Sequence, residues 1–347
     1  MSQALKNPRR VSGLSGAELF PLDDARDVAR LLQRCPAHEV TPLRAMPALA
    51  AHFGVAQLWL KDERGRMGLG SFKALGAAHA IAREAAATDA PDMRNALRGR
   101  VFVTASAGNH GLSVAAGARL FGAHAVIYLS STVPEAFAAR LQAKGAEVRR
   151  AGTDYEASMQ AAAQAAEDNG WTLLSDSSWS DYTELPLRVM EGYLQLAAEA
   201  AAQIDQPPTH ILLQAGVGGL AAAVAAHARL VWGDAPQIII VEPEAAPALI
   251  ESIRAGRSVE TSGPVSCMGR LDCKTPSMIA LNGLARDADV FVTISEAEAQ
   301  RAVDLLAGHD LPTTPSGAAG IAALFGCEDL PGEARVLAIL SEGHEDG

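Results

Sequence analysis

Aromatic residues are scarce in this sequence: Phe, Trp and Tyr together make up 5% of its 347 residues. The hydrophobic 49% is therefore mostly Ala, Leu and Val, and 31 glycines are interleaved with it. Small side chains of this kind suit helices packed closely on a parallel sheet. Cysteine is scarcer still. Four residues, Cys35, Cys267, Cys273 and Cys327, exclude a disulfide framework in a chain of this length. Cys267 and Cys273 lie six apart with no histidine between or just after them, a spacing that matches no zinc site. They are expected to be cytosolic thiols in or near a loop. Basic charge is also in deficit, 29 Lys and Arg against 40 Asp and Glu, for a net −11. Such a surface repels nucleic acid and anionic membranes. No apolar run reaches the roughly 18 residues of a membrane span; the most apolar windows are broken by Arg119, Gly122 or His124. The N-terminal MSQALKNPRRVSGLSG lacks the apolar run of a signal peptide. A cytoplasmic protein with no nucleic-acid or membrane partner is expected.

The first 40 residues read as a poorly patterned lead-in with one helix over 22–35. Beyond them short apolar strands alternate with helices. Strands are predicted at 57–61, 101–104, 125–129, 147–150, 171–175, 210–214 and 237–241, and helices at 72–83, 111–121, 134–144, 155–169, 186–202 and 220–230. That alternation predicts an α/β protein whose parallel sheets are covered on both faces. The four strands between about 99 and 176 could form a compact unit of their own. The chain is long enough to divide, since cores beyond roughly 250 residues tend to split.

Candidate chemistry gathers just past the strands, where α/β sheets bind ligands. Lys73 stands at the start of a helix behind Gly68-Leu69-Gly70-Ser71-Phe72. Burial of its stem would lower its pKa and free the amine to condense with an aldehyde. The plainer reading is a surface lysine, although a cation there opposes the helix dipole by about 0.3–1 kcal/mol. Ser106-Ala107-Gly108-Asn109-His110-Gly111 follows a strand and opens a helix, which suits a carboxylate or simply an N-capping turn. Gln214-Ala215-Gly216-Val217-Gly218-Gly219-Leu220 is a phosphate cradle by its physics. It also reads as half of a dinucleotide fingerprint, with Glu242 where a ribose-binding acid could stand. A nicotinamide oxidoreductase is therefore a competing expectation. Asp176, Thr313-Thr314-Pro315-Ser316-Gly317 and Ser341-Glu342-Gly343 each lie beyond an apolar strand as well.

Taken together and in this order, from about Thr41 to Gly343, these motifs resemble the fold type II family of pyridoxal-phosphate enzymes. That family includes serine and threonine dehydratases, cysteine synthases and diaminopropionate ammonia-lyases. Three stretches look most like the last of these: LKDERGRMGLGSFKALGAAHA, LLSDSSWSDYTELPLRVMEGY and MGRLDC.

The resemblance implies two domains, each a mostly parallel twisted sheet flanked by helices. The large cofactor-binding domain would take residues 1–84 and 186–347, and the smaller inserted substrate domain 85–185. Lys73 is implied to be the Schiff-base lysine, with Phe72 beside it and Asn109 bonded to the phenolic oxygen of pyridoxal 5'-phosphate. Gly216, Val217, Gly218, Gly219 and Leu220 would cradle the phosphate, and Ser341 would meet the pyridine nitrogen. Ser106, Ala107 and His110 would take the substrate, with Asp176 as a second acid–base group. A hydroxyl at the pyridine nitrogen tempers the ring as an electron sink, which favours expelling a β-substituent over a long-lived carbanion. The implied reaction is β-elimination from a small L-amino acid by a homodimer. 2,3-Diaminopropionate, giving pyruvate and ammonia, is the first candidate; serine, threonine or hydroxyaspartate dehydration is the alternative. A binding protein with a decayed site is a further alternative, against which the intact Lys73 and glycine loop count. One departure bears on stereochemistry. Diaminopropionate ammonia-lyases carry an aspartate, linked to the D-enantiomer, where this sequence has Ala107; Asp176 matches the one linked to the L-enantiomer.

Overall fold

A computed structural model describes residues 3–106, 108–327 and 330–344. Its strands are β1 (Gln3–Lys6), β2 (Leu43–Ala45), β3 (Gln57–Asp62), β4 (Val101–Ala105), β5 (His124–Leu129), β6 (Glu147–Arg150), β7 (Thr172–Leu173), β8 (His210–Gln214), β9 (Gln237–Pro243), β10 (Val290–Ile294) and β11 (Arg335–Leu340). The helices are α1 (Arg26–Leu32), α2 (Pro47–Phe53), α3 (Lys73–Ala86), α4 (Asn109–Leu120), α5 (Glu135–Ala143), α6 (Tyr155–Asn169), α7 (Glu184–Gln203), α8 (Gly219–Trp232), α9 (Ala248–Ala255), α10 (Met278–Asp287), α11 (Glu296–Ala307) and α12 (Pro315–Ala322).

Two sheets result. Seven strands run in the order β1-β10-β9-β8-β11-β3-β2, and four in the order β6-β5-β4-β7. The small sheet is parallel throughout. The large one is parallel except at its edges, where β1 runs against β10 and β2 against β3. Its inner strands carry unbroken apolar runs, such as Ile238–Val241, because helices cover both faces. One core joins α3, α4, α7, α8 and α10 to the sheets, and a second packs α2, α11 and α12 on the opposite face of the large sheet. The α3–α7 contact requires a glycine. A Cβ on Gly76 would stand 2.6 Å from the ring of Tyr193.

Three expectations about elements need correction. The lead-in contains β1, which closes the edge of the large sheet by pairing with residues almost 290 positions away. No local pattern announces such a strand. The helix expected over 22–35 shortens to α1, and the strand expected over 171–175 shortens to the two residues of β7. The short strand β2 and the helix α2 were not foreseen.

A sealed ionic network supports the segment that delivers Lys73. Arg66 is fully buried and donates to Glu63, Thr41 and both carboxylate oxygens of Glu199, the last at 3.0 and 2.7 Å. Lys61, also fully buried, donates to Thr41 O, Glu199 Oε2 and Gln203 Oε1. Burial alone would raise the Glu199 carboxyl, but Arg66 and Lys61 hold it down to about 2. From Arg66 the chain passes through Met67, Gly68 and Gly70, all at positive φ, into α3.

Candidate active site

The loops past β3, β4, β7, β8 and β11 converge, so that both sheets contribute to one cleft. Lys73 is the first residue of α3, with Phe72 at the helix cap. Phe72 N–H donates to Ser341 O at 3.0 Å, which ties the lysine to the end of β11. The Lys73 ammonium is paired with Asp176, which reaches it from beyond β7 of the small sheet. Burial opposes both charges, yet each stabilises the other. Lys73 is therefore held above the ordinary lysine range and Asp176 below the ordinary carboxylate range. His110, buried in the first turn of α4, donates from Nε2 to Leu174 O at 2.8 Å, and its Nδ1 has no hydrogen bond. Burial pushes its pKa down, and the nearby Lys73 charge adds to that against the pull of Asp176.

Asn109, beside His110, donates from Nδ2 to Glu342 Oε2 at 2.5 Å. Thr314 donates to the other oxygen of the same carboxylate, Thr313 donates to Glu342 O, and Arg270 Nε lies 3.9 Å from Oε2. Ser341, next in line, is buried at the end of β11. Ser106 Oγ accepts from Gly108 N at 3.2 Å and Gly111 N at 3.1 Å, and so fastens the turn that opens α4. Ala107 lies outside the described residues.

The glycine loop follows β8. Gly218 takes φ +98°, a left-handed conformation that admits few side chains, and α8 starts at Gly219 with no side-chain cap. The N–H groups of Gly219, Leu220 and Ala221 therefore have no intrahelical acceptor. A Cβ on Gly216 would stand 3.0 Å from both Arg270 O and Cys273 Sγ, so only glycine leaves the loop open there. Val217 O is fixed by Ser277 N at 3.0 Å. Cys273 itself is a free thiol, pushed up to about 12 by burial and the Asp176 charge, and is a poor nucleophile.

These features suit an anionic aldehyde. An uncapped helix start offers donors for a phosphate, and a lysine amine stands across the cleft. Tyr193 Oη and Ser71 Oγ are buried at this point without hydrogen bonds; burial pushes the Tyr193 phenol up to about 12. No group of three or more His, Cys, Asp and Glu among the described residues is placed to hold a metal ion.

The dinucleotide alternative is corrected here. Glu242 is fully buried, and its two oxygens accept from Leu249 N and Ile250 N at the start of α9, at 2.7 and 2.8 Å. It is a helix-capping acid closed to a ribose. Sequence reasoning assigned nothing to Glu342, Thr314, Arg270 or Tyr193. All four lie inside quoted motifs or stretches, so their positions were visible but their contacts were not. Tyr193 closes the quoted stretch LLSDSSWSDYTELPLRVMEGY, but it sits mid-helix, 120 residues from Lys73, and nothing local points it at the lysine.

Comparison with known proteins agrees with this geometry. A family model described as pyridoxal-phosphate dependent enzyme matches residues 35–342. The diaminopropionate ammonia-lyase of Salmonella typhimurium is 31% identical, with 92% of this chain and 86% of the relative aligned. The human L-serine dehydratase/L-threonine deaminase is 30% identical over 84% of this chain and 83% of its own length. Among solved structures, Escherichia coli diaminopropionate ammonia-lyase in complex with an aminoacrylate-PLP azomethine reaction intermediate superposes with a TM-score of 0.89 at 30% identity. That match covers 99% of this chain and 94% of the other. The fold is thus fold type II, and the chain belongs to the pyridoxal-phosphate-dependent enzyme family.

Proposed function

We propose that the protein is an ammonia-lyase that eliminates the β-amine of L-2,3-diaminopropionate to give pyruvate and ammonia. The observation that carries this reading is the Lys73–Asp176 pair, one partner from each sheet. The relatives named above support the substrate class. On this reading Phe72, Lys73, Asn109, Ser341 and the loop Gly216–Leu220 hold pyridoxal phosphate, while the turn that Ser106 fastens, His110 and Asp176 meet the substrate. The bound cofactor supplies an aldehyde for the substrate amine and a ring that withdraws electrons from Cα. The chain's own groups manage the protons. While Lys73 is charged, Asp176 is locked as its counter-ion. Once the Lys73 nitrogen is engaged and uncharged, burial dominates at Asp176 and its proton affinity rises. Asp176 can then take the proton lost from Cα and deliver it to the departing amine. The helix start at α8 holds the phosphate through backbone donors, and Asn109 is oriented by the Glu342 carboxylate.

The reading keeps the small unit at residues 85–185 as the substrate side and a cytoplasmic homodimer as the working form. The four free thiols suit a reducing compartment. No helix among the described residues is long and apolar enough to cross a membrane.

Asp176→Asn tests the assignment, because the amide keeps shape and loses basicity. The variant is expected to retain the cofactor's visible band while kcat for L-2,3-diaminopropionate falls on the order of 10²-fold. An unimpaired variant would remove Asp176 from the chemistry.

A further inference from the structure

Arg270 stands between two walls of the cleft. Its carbonyl lies 3.0 Å from the place a Cβ on Gly216 would take, which puts its backbone against the glycine loop. Its N–H donates to Ser316 Oγ at 3.1 Å, which fixes that backbone from the α12 side. Its side chain crosses to the turn that opens α4. Cδ and Nε lie 3.2 Å, and Cζ 3.4 Å, from where a Cβ on Gly108 would stand. Gly108 thus leaves room for a guanidinium laid over the first turn of a twelve-residue helix.

Two other facts give this placement a chemical sense. Ser106 Oγ is committed to accepting from Gly108 and Gly111, so it closes the turn from within. The cleft also contains two acids, Asp176 and Glu342, each of which attracts the ammonium groups of a diamino acid. A substrate with amines on both Cα and Cβ has a single anionic group, and it must be directed away from those acids. The Arg270 side chain keeps 28% exposure, and a planar guanidinium matches a carboxylate in a bidentate geometry.

We propose that Arg270 is a specificity-determining residue that holds the substrate carboxylate over the first turn of α4. The inference rests on the amino-acid lyase reading and deepens it. It assigns the carboxylate to a fixed cation in addition to the backbone turn. The charge of Arg270 also offsets Glu342, which leaves Asp176 as the acid that meets the β-amine.

Binding and turnover separate this inference from the reading beneath it. L-Alanine has no leaving group at Cβ, and L-alaninamide has in addition no carboxylate. Their dissociation constants for the holoenzyme are measured by calorimetry, in the native protein and in Arg270→Gln. The variant is expected to bind alanine roughly 10- to 100-fold more weakly and alaninamide less than about threefold more weakly. For L-2,3-diaminopropionate the same variant raises KM and changes kcat little. Arg270→Lys keeps the charge without the fork and should lose less; it decides the matter if the Gln variant does not fold. Equal weakening toward alanine and alaninamide overturns the inference, and so does a fall in kcat with KM unchanged. Failure to turn over any diamino acid, with carboxylate-dependent alanine binding intact, overturns the substrate reading and leaves the Arg270 assignment standing.

Discussion

Lys73→Ala is expected to purify folded, without the visible band that borohydride erases, and with elimination reduced to background. The sequence contains five lysines, and none of the others can take over. Lys61 is sealed in the core and donates to three acceptors. Lys274 is held by Ala245 O, Pro264 O and Asp272. Lys6 lies on the edge strand β1, and Lys144 caps the end of α5. The alanine variant also strands Asp176, whose carboxylate depends on the neighbouring ammonium against burial. Lys73→Arg separates the two effects. A guanidinium keeps the charge beside Asp176 but cannot condense with an aldehyde at neutral pH. The arginine variant should therefore be as stable as the native protein and equally colourless. Turnover in either variant would remove Lys73 from its role.

A second large effect is expected far from the chemistry. Glu199→Gln leaves Lys61 and Arg66 facing Glu63 alone, in a region where Arg66 and Lys61 are fully buried. Breaking a buried ionic network by removing one partner costs about 3–5 kcal/mol, a large part of the stability of an ordinary domain. Chemical denaturation should show a loss of that size. The sign with pH follows from the same group. The folded carboxyl is held down to about 2 against an ordinary 4.5. Its contribution is complete above about 4.5 and is lost as pH falls toward 2, so the native protein should lose stability across that window more steeply than the variant. A loss below about 1 kcal/mol would mean that the network does not work as described. Because Arg66 starts the turn that ends at Lys73, the same variant is also expected to release the cofactor faster.

Much of this architecture is legible in the sequence for a physical reason. Strands buried on both faces are written as short unbroken apolar runs, and the turns past β4, β8 and β11 carry glycine, serine or asparagine to meet a ligand or a helix start. Lys73, Asn109, Asp176 and the Gly216–Leu220 loop could all be singled out from those local rules, and the structure brings them into one cleft. What was not legible depends on distance along the chain. β1 earns its place by pairing with β10, and QALK alone has too little pattern to announce a strand. Glu199 acquires its meaning from Arg66, 133 positions earlier, and Glu342 from Asn109, 233 positions earlier. Ser106 illustrates a different limit. Its hydroxyl could have faced a ligand or capped a helix, and only geometry distinguishes the two; in the structure it accepts from the turn it belongs to.

The central claim is that the pyridoxal-phosphate cleft built on Lys73 and Asp176 eliminates the β-amine of an L-diamino acid. It is tested most directly by offering the holoenzyme L- and D-2,3-diaminopropionate and L-serine in parallel and measuring pyruvate. The account predicts rapid pyruvate formation from the L-diamino acid, with the D-enantiomer and L-serine each slower by about 10²-fold or more. That difference is the share of the rate a positioned acid–base group supplies. Equal turnover of the two enantiomers, or a preference for serine, would contradict it.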